Sequence, residues 1–248
     1  MINLDSVSKS FGNFEVLRNI TLSVDACSTT VLIGPSGCGK STLIRLINGL
    51  LKADTGKVLI NGSGITIDNI YTIRHQIGYV IQEGGLFPHM TAKKNISVLA
   101  DFLRQQTVII NERIDYLCEL TKFPVDSLCR YPAQLSGGQR QRVSLMRALM
   151  LDPSILLLDE PLGSLDPVTR TDLQKDLKTI FEKLRKTVLL VTHDLGEAQY
   201  FGGTLVLMKD GMIVQKGSFE QLVNSPSSHF VTEFINAQRL IVNTEAVS

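Results

Sequence analysis

The stretch Gly34-Pro35-Ser36-Gly37-Cys38-Gly39-Lys40-Ser41, with Thr42 behind it, restricts the fold of this chain more than any other. A β-branched, apolar run, Thr29–Ile33, leads in, and a helical pattern to about Asn48 leads out. The spacing is G-x-x-x-x-G-K-S. Between a strand and a helix, such glycines let backbone N–H groups turn inward as a nest for phosphate oxygens. The helix N-terminus adds positive potential at the same point. Lys40 supplies a full charge to the β- and γ-phosphates of a nucleotide, and the Ser41 hydroxyl can ligate Mg²⁺. Cys38 is expected to be accessible rather than catalytic. The four cysteines, Cys27, Cys38, Cys118 and Cys129, have neither metal nor redox spacing and read as small semi-buried residues.

The rest of the pattern alternates strands with helices. Strands are expected over 2–7, 16–24, Thr29–Ile33, 57–60, 77–81, 155–158, 187–192, 205–208 and 213–216. Asn61-Gly62 and Asp210-Gly211 are turn signals. Thr91 caps a helix to about Gln105, Asn111 caps one through Lys122, and Ser136 precedes one over about 138–150. Asp166-Pro167 opens a long helix to about Leu184. A further helix is expected over Leu195–Phe201, and Ser218 with Gln221 forms a capping box. Fully apolar strands imply a sheet buried on both faces, hence parallel at its centre. Residues 84–150 then read as a helical insert.

Two more motifs carry chemistry. Ile155-Leu156-Leu157-Leu158 ends in Asp159-Glu160, which sets two carboxylates at the carboxyl end of a buried strand, where α/β sheets bind ligands. Asp159 suits Mg²⁺, and Glu160 suits a base or water-positioning group facing a γ-phosphate. Leu135-Ser136-Gly137-Gly138-Gln139 sets a Ser and two glycines at a helix start. By itself that is an ordinary cap or an anion-binding end.

In this order the three motifs resemble ATP-binding-cassette (ABC) ATPases, nucleotide-binding subunits of membrane transporters, over about residues 1–235. The resemblance implies an α/β fold: a RecA-like P-loop NTPase core with a mainly parallel central sheet, an N-terminal antiparallel β subdomain and the helical insert, followed by a tail at 236–248. It makes Gln82 a Mg²⁺ and water ligand, Ser164-Leu165-Asp166 a loop at the nucleotide, and His193 the γ-phosphate contact. Phe11 falls where the family stacks a ring under adenine, although packing of Phe11 onto the core stays open. The implied catalytic group is Glu160, His193, Gln82 and Lys40. The implied metal ligands are Ser41, Gln82 and Asp159. Ser136, Gly137, Gly138 and Gln139 would reach ATP from a second copy, in a head-to-tail dimer that clamps the nucleotide.

Further partners are implied: transmembrane permease subunits docking near Gln82 and the stretch Glu83 to Thr91, and a substrate-binding protein. That stretch, with Leu165-Asp166-Pro167-Val168-Thr169-Arg170, is similar to ATPases of glycine betaine, choline and proline importers. An amino-acid-like cargo fits the same reading. Alternatives are an exporter or lipid-transport ATPase, or a soluble non-transport cassette. A P-loop kinase would not explain residues 136–139. A net charge of +1 argues against a general nucleic-acid binder. No run approaches the roughly 18 apolar residues of a membrane span, and Met1 to Gly12 shows no secretion signal. The expected location is the cytoplasmic face of a membrane, as a peripheral subunit. Many relatives carry a regulatory domain after the cassette, and an end at Ser248 would leave no room for one.

Overall fold

The computed structural model describes residues 1–245 except Glu83 and Ser164. The order is β1 (Ile2–Phe11), β2 (Phe14–Val24), β3 (Thr29–Ile33), α1 (Lys40–Ile47), β4 (Thr55–Ile60), β5 (Ser63–Gly64), α2 (Ile70–His75) and β6 (Ile77–Val80). Then come α3 (Ala92–Phe102), α4 (Thr107–Thr121), α5 (Gly137–Leu149), β7 (Ile155–Asp159), α6 (Pro167–Leu184) and β8 (Thr187–Val191). The chain continues through α7 (Leu195–Phe201), β9 (Thr204–Lys209), β10 (Met212–Gly217), α8 (Phe219–Asn224) and α9 (His229–Glu245).

The chain forms two compact units, one of residues Met1–Ile73 and Thr187–Ser248, the other of Arg74–Lys186. The first holds an antiparallel sheet in the order β2-β1-β4-β5 and a run of strands β10-β9-β3-β8. β3 pairs in parallel with both β8 and β9, so its Val31 and Leu32 are buried on both faces. This is why Thr29–Ile33 reads as an unbroken apolar run. β1 instead pairs antiparallel with β2 and β4, and only one of its faces is core. Ile2, Leu4 and Val7 point inward while Asp5 is exposed.

The second unit carries the parallel pair β6 and β7 with α3, α4, α5 and α6. Ile155, Leu156, Leu157 and Leu158 are fully buried in β7. Within this unit a buried carboxylate ties three helices together. Asp176 of α6 accepts from Lys122 at the end of α4 and from Arg142 of α5, each at 2.7 Å. No helix among the described residues is long and apolar enough to cross a membrane.

Several elements differ from the sequence expectation. α4 starts at Thr107 with Gln106 as its N-cap, so Asn111 lies inside the helix rather than capping it. The inward stripe Ile110, Ile114, Leu117, Cys118 and Thr121 begins one residue before Asn111, and the helix must extend a turn further to support it. α2 is an additional short helix. Residues 236–245, read from sequence as tail, lie in α9.

Candidate functional site

β3 runs straight into the glycine cradle. Gly34 is buried, Pro35, Ser36 and Gly37 are exposed, and Cys38, Gly39 and Lys40 are buried again. The turn is closed by the Cys38 N–H donating to the Pro35 carbonyl at 3.3 Å. Gly39 caps α1 in the left-handed region, at φ 105°. A Cβ there would stand 2.6 Å from Leu17 Cδ2 and 3.0 Å from the Val16 carbonyl, so β2 and the backbone dihedral both demand glycine. Lys40 is 5% exposed. Its Nζ donates to the carbonyls of Gly34 at 2.8 Å and Pro35 at 3.0 Å. The ammonium is thus folded back over its own loop and held by neutral dipoles. Ser41 and Thr42 follow, half-buried, in the first turn of α1.

Cys38 corrects an expectation. It is 5% exposed, with its Sγ 3.8 Å from Lys40 Nζ, and is not accessible. Burial pushes its thiol above the usual range, although the charge of Lys40 pulls the other way. Cys118 is also buried, whereas Cys27 and Cys129 are exposed.

Phe11, at the end of β1, is 49% exposed, which sets aside packing onto the core. Its ring lies 5.6 Å from Lys9 Nζ, a cation–π distance. His193 follows β8 and is exposed just before Asp194, the N-cap of α7.

In the second unit, Asp159 ends β7 with 3% exposure. Glu160 takes a left-handed backbone, φ 47°, as the chain leaves the strand. For a non-glycine residue this is a strained conformation of the kind that clusters at functional sites. The Gln82 side-chain amide donates to Glu160 Oε2 at 3.3 Å, so two residues singled out from sequence are brought together. Ser136 caps α5: its Oγ accepts from the Gln139 N–H at 3.2 Å, and Gln139 Oε1 accepts from the Ser136 N–H at 3.0 Å. Each side chain therefore satisfies the backbone N–H of the other residue. The amides of Gly137 and Gly138 stand in the first turn, where no intrahelical carbonyl reaches them. A Cβ on Gly138 would come 2.5 Å from Thr169 Cγ2, so glycine there permits close approach of α6.

Asp166 caps α6 by accepting from the Thr169 N–H at 3.1 Å. Hydrogen bonds from the Thr169 side chain and amide hold its carboxyl below the ordinary range. Of the segment Ser164-Leu165-Asp166, Ser164 lies outside the described residues, as does Glu83 in the stretch after Gln82.

Sequence reasoning missed what anchors that stretch. Arg147 of α5 donates to the carbonyls of Gly85 at 2.9 Å and Gly84 at 2.8 Å, and Ser144 Oγ donates to Gly84 at 2.8 Å. Burial lowers the pKa of Arg147. Asn95, fully buried, accepts from the Phe87 N–H and donates to the carbonyls of Phe87, Met90 and Thr91. Beside them lies a groove of about 360 Å³, lined among others by Arg74, His75, Tyr79, Phe87, Leu99 and Arg147. The only sequence signal was polar residues at buried positions of amphipathic helices.

The model of the family described as ABC transporter matches residues 17–163. The chain belongs to the ABC transporter family. Among its relatives in the family, the choline transport ATP-binding protein OpuBA of Bacillus subtilis is 41% identical over 97% of this chain and 64% of that protein. The carnitine transport ATP-binding protein OpuCA of Listeria monocytogenes is 40% identical over 97% of this chain and 61% of that protein. The chain thus spans less than two thirds of the length of these relatives. It covers 78% of the glycine betaine uptake system ATP-binding protein YehX of Escherichia coli, at 41% identity over 97% of this chain. Among solved ABC structures, a dimeric structure of the bacterial transporter cassette MJ0796 has a TM-score of 0.80 at 32% identity, covering 88% of this chain and 98% of that one.

Proposed function

We propose that this chain is an ATP-hydrolysing nucleotide-binding subunit that powers a membrane ABC transporter. Its cargo would be an osmoprotectant of the glycine betaine, choline or proline kind, or an amino-acid-like solute. The observation that carries this reading is the cradle: a buried lysine, held over a glycine turn between β3 and α1, where a polyphosphate would replace backbone carbonyls as its partner. The names of the relatives support the cargo class and the role as importer subunit.

Lys40 and the backbone N–H groups of residues 34 to 42, Pro35 excepted because it has none, bind the β- and γ-phosphates, and Phe11 offers its exposed ring to adenine. Ser41, Gln82 and Asp159 offer hydroxyl, amide and carboxylate oxygens, the hard donors that suit Mg²⁺. When bound, the ion supplies neutralising charge to the phosphates. Glu160 orients or deprotonates the attacking water, and the amide of Gln82 steadies its carboxylate. His193 holds the γ-phosphate. Residues 136–139 and Asp166 act on the nucleotide of a second copy, the helix tip contributing N–H donors and dipole to charge that one protomer leaves unbalanced. The groove beside Arg147 takes a segment of the permease, and the subunit works at the cytoplasmic face of a membrane in a system that includes a substrate-binding protein.

The test is nucleotide binding and turnover in purified protein. Lys40→Ala should weaken ATP affinity about tenfold or more. Glu160→Gln should keep ATP affinity and lower turnover about 100-fold or more. Unchanged ATP affinity in Lys40→Ala would overturn the cradle assignment.

A further inference from the structure

One buried carboxylate outside the residues assigned above stands beside the loop that carries His193. Glu197, in the first turn of α7, is 5% exposed, and Thr192 is 2% exposed. Glu197 Oε2 lies 2.6 Å from Thr192 Oγ1, the length of a hydroxyl bond to a carboxylate oxygen. The same Oγ1 receives the Asp194 N–H at 3.0 Å. A backbone N–H can only donate, so the single hydroxyl proton of Thr192 goes to Glu197. The direction of the chain is fixed: Asp194 N–H to Thr192 Oγ1, Thr192 O–H to Glu197.

Further bonds tie this loop to fixed elements. The Thr192 N–H donates to the Leu32 carbonyl of β3 at 3.1 Å. Asp194 Oδ1 accepts from the amides of Gly196 at 2.6 Å and Glu197 at 3.1 Å, which ties the loop to α7. His193 therefore sits, exposed, between two residues whose main chain is pinned on either side. Leu32 lies in the strand that delivers the cradle at Gly34. The strand that aims the phosphate nest thus also holds the histidine loop.

We propose that Glu197 is a positioning residue for His193, acting through the Thr192 hydroxyl to hold the loop in place beside β3. The proposal rests on the reading of His193 as the γ-phosphate contact. Thr192→Val keeps shape and removes the hydroxyl. Glu197→Gln keeps an acceptor oxygen, and Glu197→Ala removes it.

Thr192→Val and Glu197→Ala should lower kcat about 10- to 100-fold, since a small misplacement of a reacting group has that scale of effect. The affinity for a fluorescent ATP analogue should stay within about twofold. Thr192→Ser and Glu197→Gln should recover most of the loss. In a His193→Ala background, Thr192→Val should add almost nothing, a non-additivity that mere loss of stability does not produce. Amide exchange at Asp194 should quicken in Thr192→Val, with Val31 and Leu190 unchanged. Wild-type kcat in Thr192→Val and Glu197→Ala, with His193→Ala inactive, would overturn the positioning role alone. So would losses that multiply with that of His193→Ala. Full turnover in His193→Ala would overturn the reading of the histidine and this proposal together.

Discussion

The lysine of the cradle and the thiol next to it illustrate what single residues reveal. The place of Lys40, at the turn from β3 into α1, was legible because glycine spacing, a preceding strand and a following helix all constrain the same few atoms. The burial of Cys38 was not, because it depends on how the loop folds around Gly34 and on the side chain of Lys40, whose Nζ stands 3.8 Å from Sγ. Those features are conformational, and no local pattern announces them. The cysteines therefore provide a clean test. With a soluble thiol reagent at neutral pH, Cys27 and Cys129 should react fast, and Cys38 and Cys118 slowly. Desolvation raises the pKa of both slow thiols, so they stay protonated through the ordinary thiol range and gain rate only above it. Rapid labelling of all four, read by mass spectrometry, would contradict the described packing.

At the scale of elements, whatever is written in adjacent residues came through. Asp166-Pro167 starts α6, and Ser218 with Gln221 makes both bonds of its capping box. Asn61 and Gly62 turn β4 into β5. The start of α4 did not come through, because Thr107, Val108, Ile109 and Ile110 are β-branched or aliphatic residues that a strand would also accept. Only the burial of Ile110 on the helical stripe decides the matter. Contacts between helices were illegible for a different reason: Asp176, Arg142 and Lys122 are far apart in sequence and meet only after packing. Asp176 is 8% exposed at its side chain and Arg142 16%. Removing the carboxylate strands a guanidinium in a poorly solvated place. Asp176→Ala should thus cost about 3 kcal/mol in a urea titration. Lys94→Ala, which breaks the exposed pair with Asp101 and leaves the bond from Ser97 to Asp101 in place, should cost under about 1 kcal/mol. Equal losses for the two would show that the three-helix junction is not a desolvated ion cluster.

For the molecule as a whole, the proposed chemistry requires two copies, and the residues that would act on a partner's nucleotide are separate from those that bind the protomer's own. That separation gives a prediction. Glu160→Gln with ATP should elute as a dimer in size-exclusion chromatography, and adding Ser136→Arg should restore the monomer while ATP still binds. Dimers that persist in the double variant would mean the copies associate through another surface. The helix that carries Ser136 has one more consequence. It is 13 residues long, so its ends lie about 20 Å apart. Near one end Ser144 and Arg147 grip the backbone of Gly84 and Gly85, and at the other stand the first-turn amides. One continuous rod therefore carries both features, so a substitution that breaks α5 between Gly138 and Ser144 would part the grip on Gly84 and Gly85 from the capped tip.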